Sequence, residues 1–316
     1  MLALFLTVTF SVPYLQHEEK SFVSWMRRTN QFYTGDEYHF RLGIWMSKLR
    51  FVQEHNAKGS SYKVSMNHLS AMTHSEYRSL LGLRFSDVTP KMITHAQKST
   101  AESLDWREKG AVNPVLDQGN CGSCWAFSVL HCCEGIEFLN YNKLYKFSEQ
   151  SLVDCVQLSH GCNGGLPAFA YNYIIDECEG KIMEDKDYPY EAVDGECRFV
   201  QSKAIGHFSK WLQIVKGDED DLAAKCEKYG PVSVGMDADH FTFEIYSGGI
   251  YEEKICSKEF LDHAVGLVGF GKEGETPYWI LRNSWGTEWG ENGYFRLIRG
   301  QNMCGVATSA TVIITK

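Results

Sequence analysis

The feature that most constrains this chain is a cysteine placed at the head of a long apolar run. Gln118-Gly119-Asn120-Cys121-Gly122-Ser123-Cys124 leads straight into residues 125–139. At 3.6 residues per turn, Trp125, Val129, Cys132, Ile136 and Leu139 share one helical face, and Phe127, Leu130, Glu134 and Phe138 another. A helix apolar on most sides is a buried helix, so the chain must wrap a core around it. Cys124 falls in the first turn, where unpaired backbone N–H groups and the positive end of the helix dipole favour a thiolate. That argument predicts a thiol pKa shifted downward and a sulfur able to act as a nucleophile. A structural disulfide, half of a zinc site or a Cys-x-x-Cys redox pair would also account for the cysteines alone.

All eleven cysteines lie between Cys121 and Cys304. That number suits an oxidising compartment, with several disulfides and an odd thiol left over, and spacing alone leaves the pairing open. The cysteine-free N-terminal part is a separate unit, and the polar residues 91–102 read as the linker. Residues 1–12 are apolar but too short to span a bilayer, and they read as a secretory signal peptide. No later stretch has the length and apolarity of a membrane span. The net charge is −9 with no basic block, which argues against a nucleic-acid partner.

Within the N-terminal unit, Glu37, Arg41, Trp45, Lys48, Val52 and Asn56 recur along one slowly drifting helical face. Glu37 and Arg41 are an i,i+4 pair in the favourable order. After the buried helix, the stretch Ser148 to Cys155 has a capping residue followed by an acid and apolar residues, so it starts a second helix. Gly161-Cys162-Asn163-Gly164-Gly165 reads as a sharp turn whose backbone can approach a ligand closely. From Phe208 onward short β-rich runs dominate, among them residues 231–234, 248–251, 264–270 and 278–281. The fold class is therefore α+β, a helical half followed by a β half, with a cleft between them as the natural place for a site.

Taken together, the Cys-Gly-Ser-Cys-Trp run, His263 after Asp262, and Asn283 within Arg282-Asn283-Ser284-Trp285-Gly286 resemble the papain-like cysteine proteases. The helical face from Glu37 to Asn56 is similar to the pro-region motif of the cathepsin L-like branch. It departs from that motif at Trp45, Lys48 and Val52. A second pro-region motif is represented only by Ser65, Asn67, Leu69 and Ala71, and Ala71 stands where those relatives carry an acid.

The resemblance implies a two-lobe papain-like fold, with a helical left lobe, an antiparallel β-barrel-like right lobe and an N-terminal helical pro-region. It implies three parts: a signal at 1–12, an inhibitory pro-region at 13–99 with a cut near residues 98–102, and a peptidase domain at 100–316. Cys124 would be the nucleophile, His263 its base, Asn283 the group orienting His263, and Gln118 the oxyanion donor, with Trp285 shielding the His–Asn bond. Gly164 and Gly165 would form the wall of the cleft, with Gly165 pairing to an extended substrate backbone. The S2 pocket would be walled by Leu166, Pro167, Gly235, Leu261 and Ala264 beside Asp262, with Ser309 as its floor. An uncharged floor predicts Phe and Leu well above Arg at P2.

The resemblance also selects the disulfides Cys121–Cys162, Cys155–Cys197 and Cys256–Cys304. Cys132 and Cys133 then read as buried thiols, and Cys178–Cys226 stays open as a fourth bridge. Leu116 stands where relatives commonly carry Lys, so the buried Glu134 needs another cation, for which Arg282 is the candidate. No metal or organic cofactor is needed. The implied product is an endopeptidase made as a zymogen, secreted or lysosomal/vacuolar and monomeric. Its partners would be protein and peptide substrates, its own pro-region and cystatin-like inhibitors. Two rival readings are a thiol–disulfide oxidoreductase using Cys121 and Cys124, and an inactive peptide-binding relative.

Overall fold

The computed structural model describes residues 16–86 and 98–316. The signal-like residues 1–12 and most of the linker therefore lie outside the described residues. Two helices, α1 (Gln16–Arg28) and α2 (Gly35–Ala57), open the chain, followed by a short strand β1 (Tyr62–Val64) and the helix α3 (His74–Leu80). The α3 helix starts with a full capping box, in which Thr73 and Glu76 satisfy each other's backbone N–H groups.

The α1 and α2 helices bury Phe22, Trp25, Leu42, Trp45 and Met46 in a small core of their own, closed by Ala71. The motif face of α2 holds the rest of the unit together. Arg41 pairs with Glu37 at 2.7 Å and donates to Ala71 O at 2.9 Å, and it also grips Glu76. Asn56 exchanges hydrogen bonds with the backbone of Val64.

The C-terminal part begins with β2 (Leu104–Asp105). Its helical half comprises α4 (Cys124–Tyr141), α5 (Glu149–Cys155) and α6 (Pro167–Asn172), the last continuing into a π-turn over Tyr173–Glu177. The β half carries β3 (Phe208–Gln213), α7 (Glu219–Tyr229), β4 (Val232–Met236), α8 (Phe241–Glu244), β5 (Tyr246–Tyr251), β6 (His263–Glu273), β7 (Thr276–Arg282), β8 (Tyr294–Ile298) and β9 (Ala310–Thr315). The strands form an open path in the order β1-β5-β8-β7-β6-β4-β9-β3.

Two details differ from the sequence expectation. The sheet is not wholly antiparallel, because β5 and β8 run parallel. The N-terminal unit is not wholly helical, because β1 adds an antiparallel edge strand onto β5. β1 thus caps a sheet edge that would otherwise be open.

The α4 helix is buried along nearly its whole length, as its composition requires, and only its last turn reaches solvent at Leu139. It packs against β6 and β4, which places the cysteine end of the helix against the start of β6. The buried Glu134 finds Arg282, with 3.5 Å between their charged atoms. The main core is continuous from the C-terminal part into the N-terminal unit, taking in Leu69, Tyr77, Leu80, Leu81 and Leu83.

Candidate active site

The hairpin of β6 and β7 brings two predicted residues together. β6 begins at His263, and β7 ends at Arg282, which pairs with Gly266, so Asn283 comes out beside the head of β6. Asn283 Oδ1 lies 2.8 Å from His263 Nε2 and accepts from the Ser284 N–H at 2.9 Å. An oxygen between two such partners fixes the amide orientation. It also requires the proton on Nε2, which leaves His263 Nδ1 as a free lone pair. Nδ1 is buried without a hydrogen-bond partner. The Trp285 ring lies over the imidazole, with centroids 4.8 Å apart, and both side chains are buried.

Cys124 is the first residue of α4, as its sequence position predicts. Cys121 is bonded to Cys162, so Cys121 and Cys124 cannot form a redox dithiol. The other disulfides are Cys155–Cys197 and Cys256–Cys304, while Cys132, Cys133, Cys178 and Cys226 are buried free thiols. Cys178 and Cys226 therefore form no fourth bridge.

Gln118 is buried ahead of Cys124 and is held from both ends. Its Oε1 accepts from Ser284 Oγ at 2.6 Å, and its Nε2 donates to Cys121 O at 2.8 Å and to Leu80 O at 2.9 Å. Sequence reasoning missed Ser284 as the group that aims Gln118. Its position next to Asn283 was the available signal. Tyr190 was missed as well. Its hydroxyl contacts Ser123 Oγ at 2.6 Å and donates to Gln118 O at 2.9 Å, tying the loop to the head of α4.

Leu80 belongs to the N-terminal unit, and the residues after it run through the cleft. Gly82 donates its N–H to Cys124 Sγ at 3.2 Å. Gly165 donates to Gly82 O and accepts from the Arg84 N–H, both at 2.9 Å, and Leu83 N–H donates to the carbonyl of Asp262. Leu83 thereby pairs with Gly165 as one strand pairs with another. Its side chain enters a cavity of about 110 Å3 lined in part by Leu166, Pro167, Gly235 and Ser309. A Cβ at Gly235 would fall 2.8 Å from Leu83 Cδ2 and 3.3 Å from Leu261 Cδ1, so a side chain here would have to displace the end of Leu83. Ala264 faces Gly235 across β4 and β6. Gly164 takes a φ of +111° beneath Gly82, which favours glycine.

The electrostatics of the covered site correct one expectation. Burial pushes the Cys124 thiol up to about 11, against the smaller lowering effect of the Ala264 and Gly82 backbone N–H groups. Burial likewise lowers His263 to about 4, against the raising effect of Asn283. The helix-end argument for a thiolate considered local groups only, whereas here desolvation by burial dominates. With residues 80–84 in place, the site holds a thiol and a neutral imidazole.

Among the described residues, Asp237, His240 and Cys256 lie close enough to suggest metal ligands. The sulfur of Cys256 is in a disulfide, however, and His240 and Asp237 already pair at 3.1 Å.

The papain family cysteine protease model matches residues 100–314, and the cathepsin propeptide inhibitor domain matches residues 22–77. The chain belongs to the papain family of cysteine proteases. It is 40% identical to procathepsin L of Mus musculus over 308 residues, covering 91% of this chain and 89% of that protein. Cysteine proteinase 15A of Pisum sativum is 38% identical, covering 95% of this chain and 87% of that one. Digestive procathepsin L 3 of the Tenebrio molitor larval midgut superposes with a TM-score of 0.87 at 34% identity, covering 94% of this chain and 99% of that one. This papain-family protease is a cysteine endopeptidase made as a zymogen, with its propeptide inhibitor domain at the N-terminus. Among the described residues no helix is long and apolar enough to cross a membrane.

Proposed function

We propose that the released protease cleaves internal peptide bonds through a Cys124 acyl-enzyme and selects an apolar residue at P2. The observation that carries this reading is the seating of residues 80–84. One carbonyl lies on Gln118, one side chain lies in the Leu166–Ser309 pocket, and an N–H rather than a carbonyl carbon faces the sulfur. The cleft is thus filled by a peptide that offers no bond for attack.

Once that peptide leaves, water returns and the desolvation that keeps both groups neutral is relieved. His263 Nδ1, with its lone pair free, takes the Cys124 proton while Asn283 holds the ring. The thiolate attacks a peptide carbonyl, and Gln118 Nε2 together with the Cys124 N–H stabilises the oxyanion. The imidazolium protonates the leaving amine, and water activated by the same imidazole cleaves the thioester.

At P2, Leu or Phe would bury most of its side chain, roughly 1.5–3 kcal/mol of favourable transfer. Ser309 offers no charge for an Arg. The cut is expected near residues 98–102, where Glu227 accepts from Ser99 Oγ at 2.6 Å and from the Thr100 N–H at 2.9 Å and holds the segment on α7. Residues 1–12 as a signal, 13–99 as the inhibitory part and 100–316 as the peptidase complete the assignment. Three disulfides support a secreted or lysosomal/vacuolar enzyme. The same cleft is the surface that a cystatin-like inhibitor would occupy.

A P2 substrate library on the processed enzyme tests the reading. Phe and Leu should exceed Arg in kcat/KM, and Arg equal to Phe would remove the pocket assignment.

A further inference from the structure

Glu227 lies in the last turn of α7, where the carbonyl end of the helix dipole disfavours a carboxylate. Among the described residues no Lys, Arg or His pairs with it. The cations around it are engaged elsewhere. Lys98 and Arg299 each lie 3.9 Å from Asp220, and the Lys228 ammonium lies over the Tyr229 ring at 4.9 Å. The Cys226 thiol, next to it in the helix, is raised by burial and stays neutral.

What faces Glu227 is the segment 99–101. Oε2 accepts from Ser99 Oγ at 2.6 Å, from the Thr100 N–H at 2.9 Å and from the Ala101 N–H at 3.4 Å, and Oε1 accepts from Thr100 Oγ1 at 2.8 Å. These bonds, led by the one from Ser99, hold the carboxyl at about 2, so it is an anion in neutral and mildly acidic solution. Beyond this contact the chain is fixed to the protease. Leu104 pairs with Phe270 on β6, and the Trp106 indole N–H donates to Cys226 O at 3.0 Å. Lys98 and Thr100 are exposed, and Ser99 and Ala101 are half-buried.

From this geometry we propose that Glu227 is a binding site for the α-ammonium of the processed protease, and that Thr100 is the residue that carries it. The proposal rests on the cut near residues 98–102. In the cut, water adds across the Ser99–Thr100 bond. Ser99 leaves as a carboxylate, and the Thr100 nitrogen takes up a proton as an ammonium. That nitrogen already lies on Oε2, so a neutral amide contact becomes a charge-assisted one, about twice as strong. Only the Ser99 Oγ contact is lost. A cut one residue later gives up both Thr100 donors, and a cut one residue earlier leaves an uncharged amide on the carboxylate. The Thr100 product is held best, and trimming ends on it because a held terminus cannot extend into a cleft.

The test reads the N-terminus of the processed protease by mass spectrometry. The α-amine is then acetylated with an N-hydroxysuccinimide ester between pH 6 and 10, with the exposed Lys254 as internal reference. Thr100 should be N-terminal. A carboxylate beside an amine favours the charged form, so its apparent pKa should rise by about one unit above the ordinary range of about 7.7–8.0. Acetylation at pH 7.5 should therefore be about tenfold slower than in Glu227→Gln, and the two rates should meet by about pH 10. Peptidase activity of Glu227→Gln should match wild type, since Glu227 touches no group of the cleft. Equal acetylation of Thr100 in the two proteins overturns Glu227 as the site and leaves the reading of the cut standing. Any other N-terminal residue within 98–102 overturns the proposal too. An N-terminus outside that range removes the reading of the cut and the proposal together.

Discussion

Gly82 N–H points at Cys124 Sγ across 3.2 Å, so a backbone amide of the segment that follows the inhibitor domain rests on the proposed nucleophile. The approach is possible only because residue 82 lacks a side chain. A Cβ there would lie 1.8 Å from Gly122 O, a backbone atom that cannot swing aside. Gly82→Ala should therefore lift residues 80–84 out of the cleft without disturbing the small core around Trp25 and Trp45. Labelling of Cys124 in the intact zymogen by a thiol-directed epoxide should accelerate by about tenfold or more. An unchanged labelling rate would mean that the segment does not control access to the sulfur.

The burial of the site sets a pH dependence. In the zymogen the thiolate forms only as pH rises toward about 11, and the imidazolium only as pH falls through about 4. Between those limits both groups are neutral. Alkylation of the intact zymogen by iodoacetamide should climb steadily with pH through 8 and 9. After processing, the exposed pair should exchange its proton, and the rate should be nearly flat from about pH 5 to 8. A processed enzyme with the climbing profile of the zymogen would exclude a thiolate–imidazolium resting state.

Asn283 gives a separable prediction. It holds His263 at 2.8 Å and lies behind the imidazole, away from the Leu83 pocket. Asn283→Ala frees the ring to rotate and should lower kcat by about a hundredfold, with KM changed by less than about threefold. A rise in KM equal to the fall in kcat would assign Asn283 to substrate binding.

The residues of this site were legible because their spacing matches a family motif that carries its chemistry with it. The buried helix was legible on physics alone, since residues 125–139 are apolar on most sides. The Glu134–Arg282 pair followed from a need, because a buried carboxylate whose usual partner had become Leu116 must find another cation. What stayed hidden depends on contacts between distant segments. Ser284 aiming Gln118, Tyr190 bracing Ser123 and β1 pairing with β5 leave no periodicity to read. The direction of the Cys124 shift was misread for the zymogen because the sequence does not show how completely the sulfur is buried. The exchange of the family's Asn for Lys48 appeared as a departure from the motif, and only its partner gives it meaning.

That partner is Glu244. Lys48 on α2 and Glu244 at the end of α8 form an ion pair between propeptide and protease, with side chains 7% and 5% exposed. Lys48 also donates to Met72 O at 3.1 Å. Burial is the leading influence on both, lowering the Lys48 ammonium and raising Glu244 to about 7. Lys48→Met keeps the stem of the side chain and removes the charge, leaving a buried carboxylate with no cation. Breaking such a pair costs about 3–5 kcal/mol while the carboxylate stays ionised. The sign with pH then follows. A carboxyl raised in the docked state is neutral there below its ordinary value of 4.5, so docking is intact in acid and weakens as pH rises through the raised value. Propeptide docking in Lys48→Met should be close to wild type at pH 4.5 and much weaker at pH 8, read as the rate of Cys124 labelling relative to wild type at each pH. Adding Glu244→Gln should restore docking at pH 8. A loss of equal size at both pH values, or no recovery in the double variant, would place the role of Lys48 in packing and not in charge.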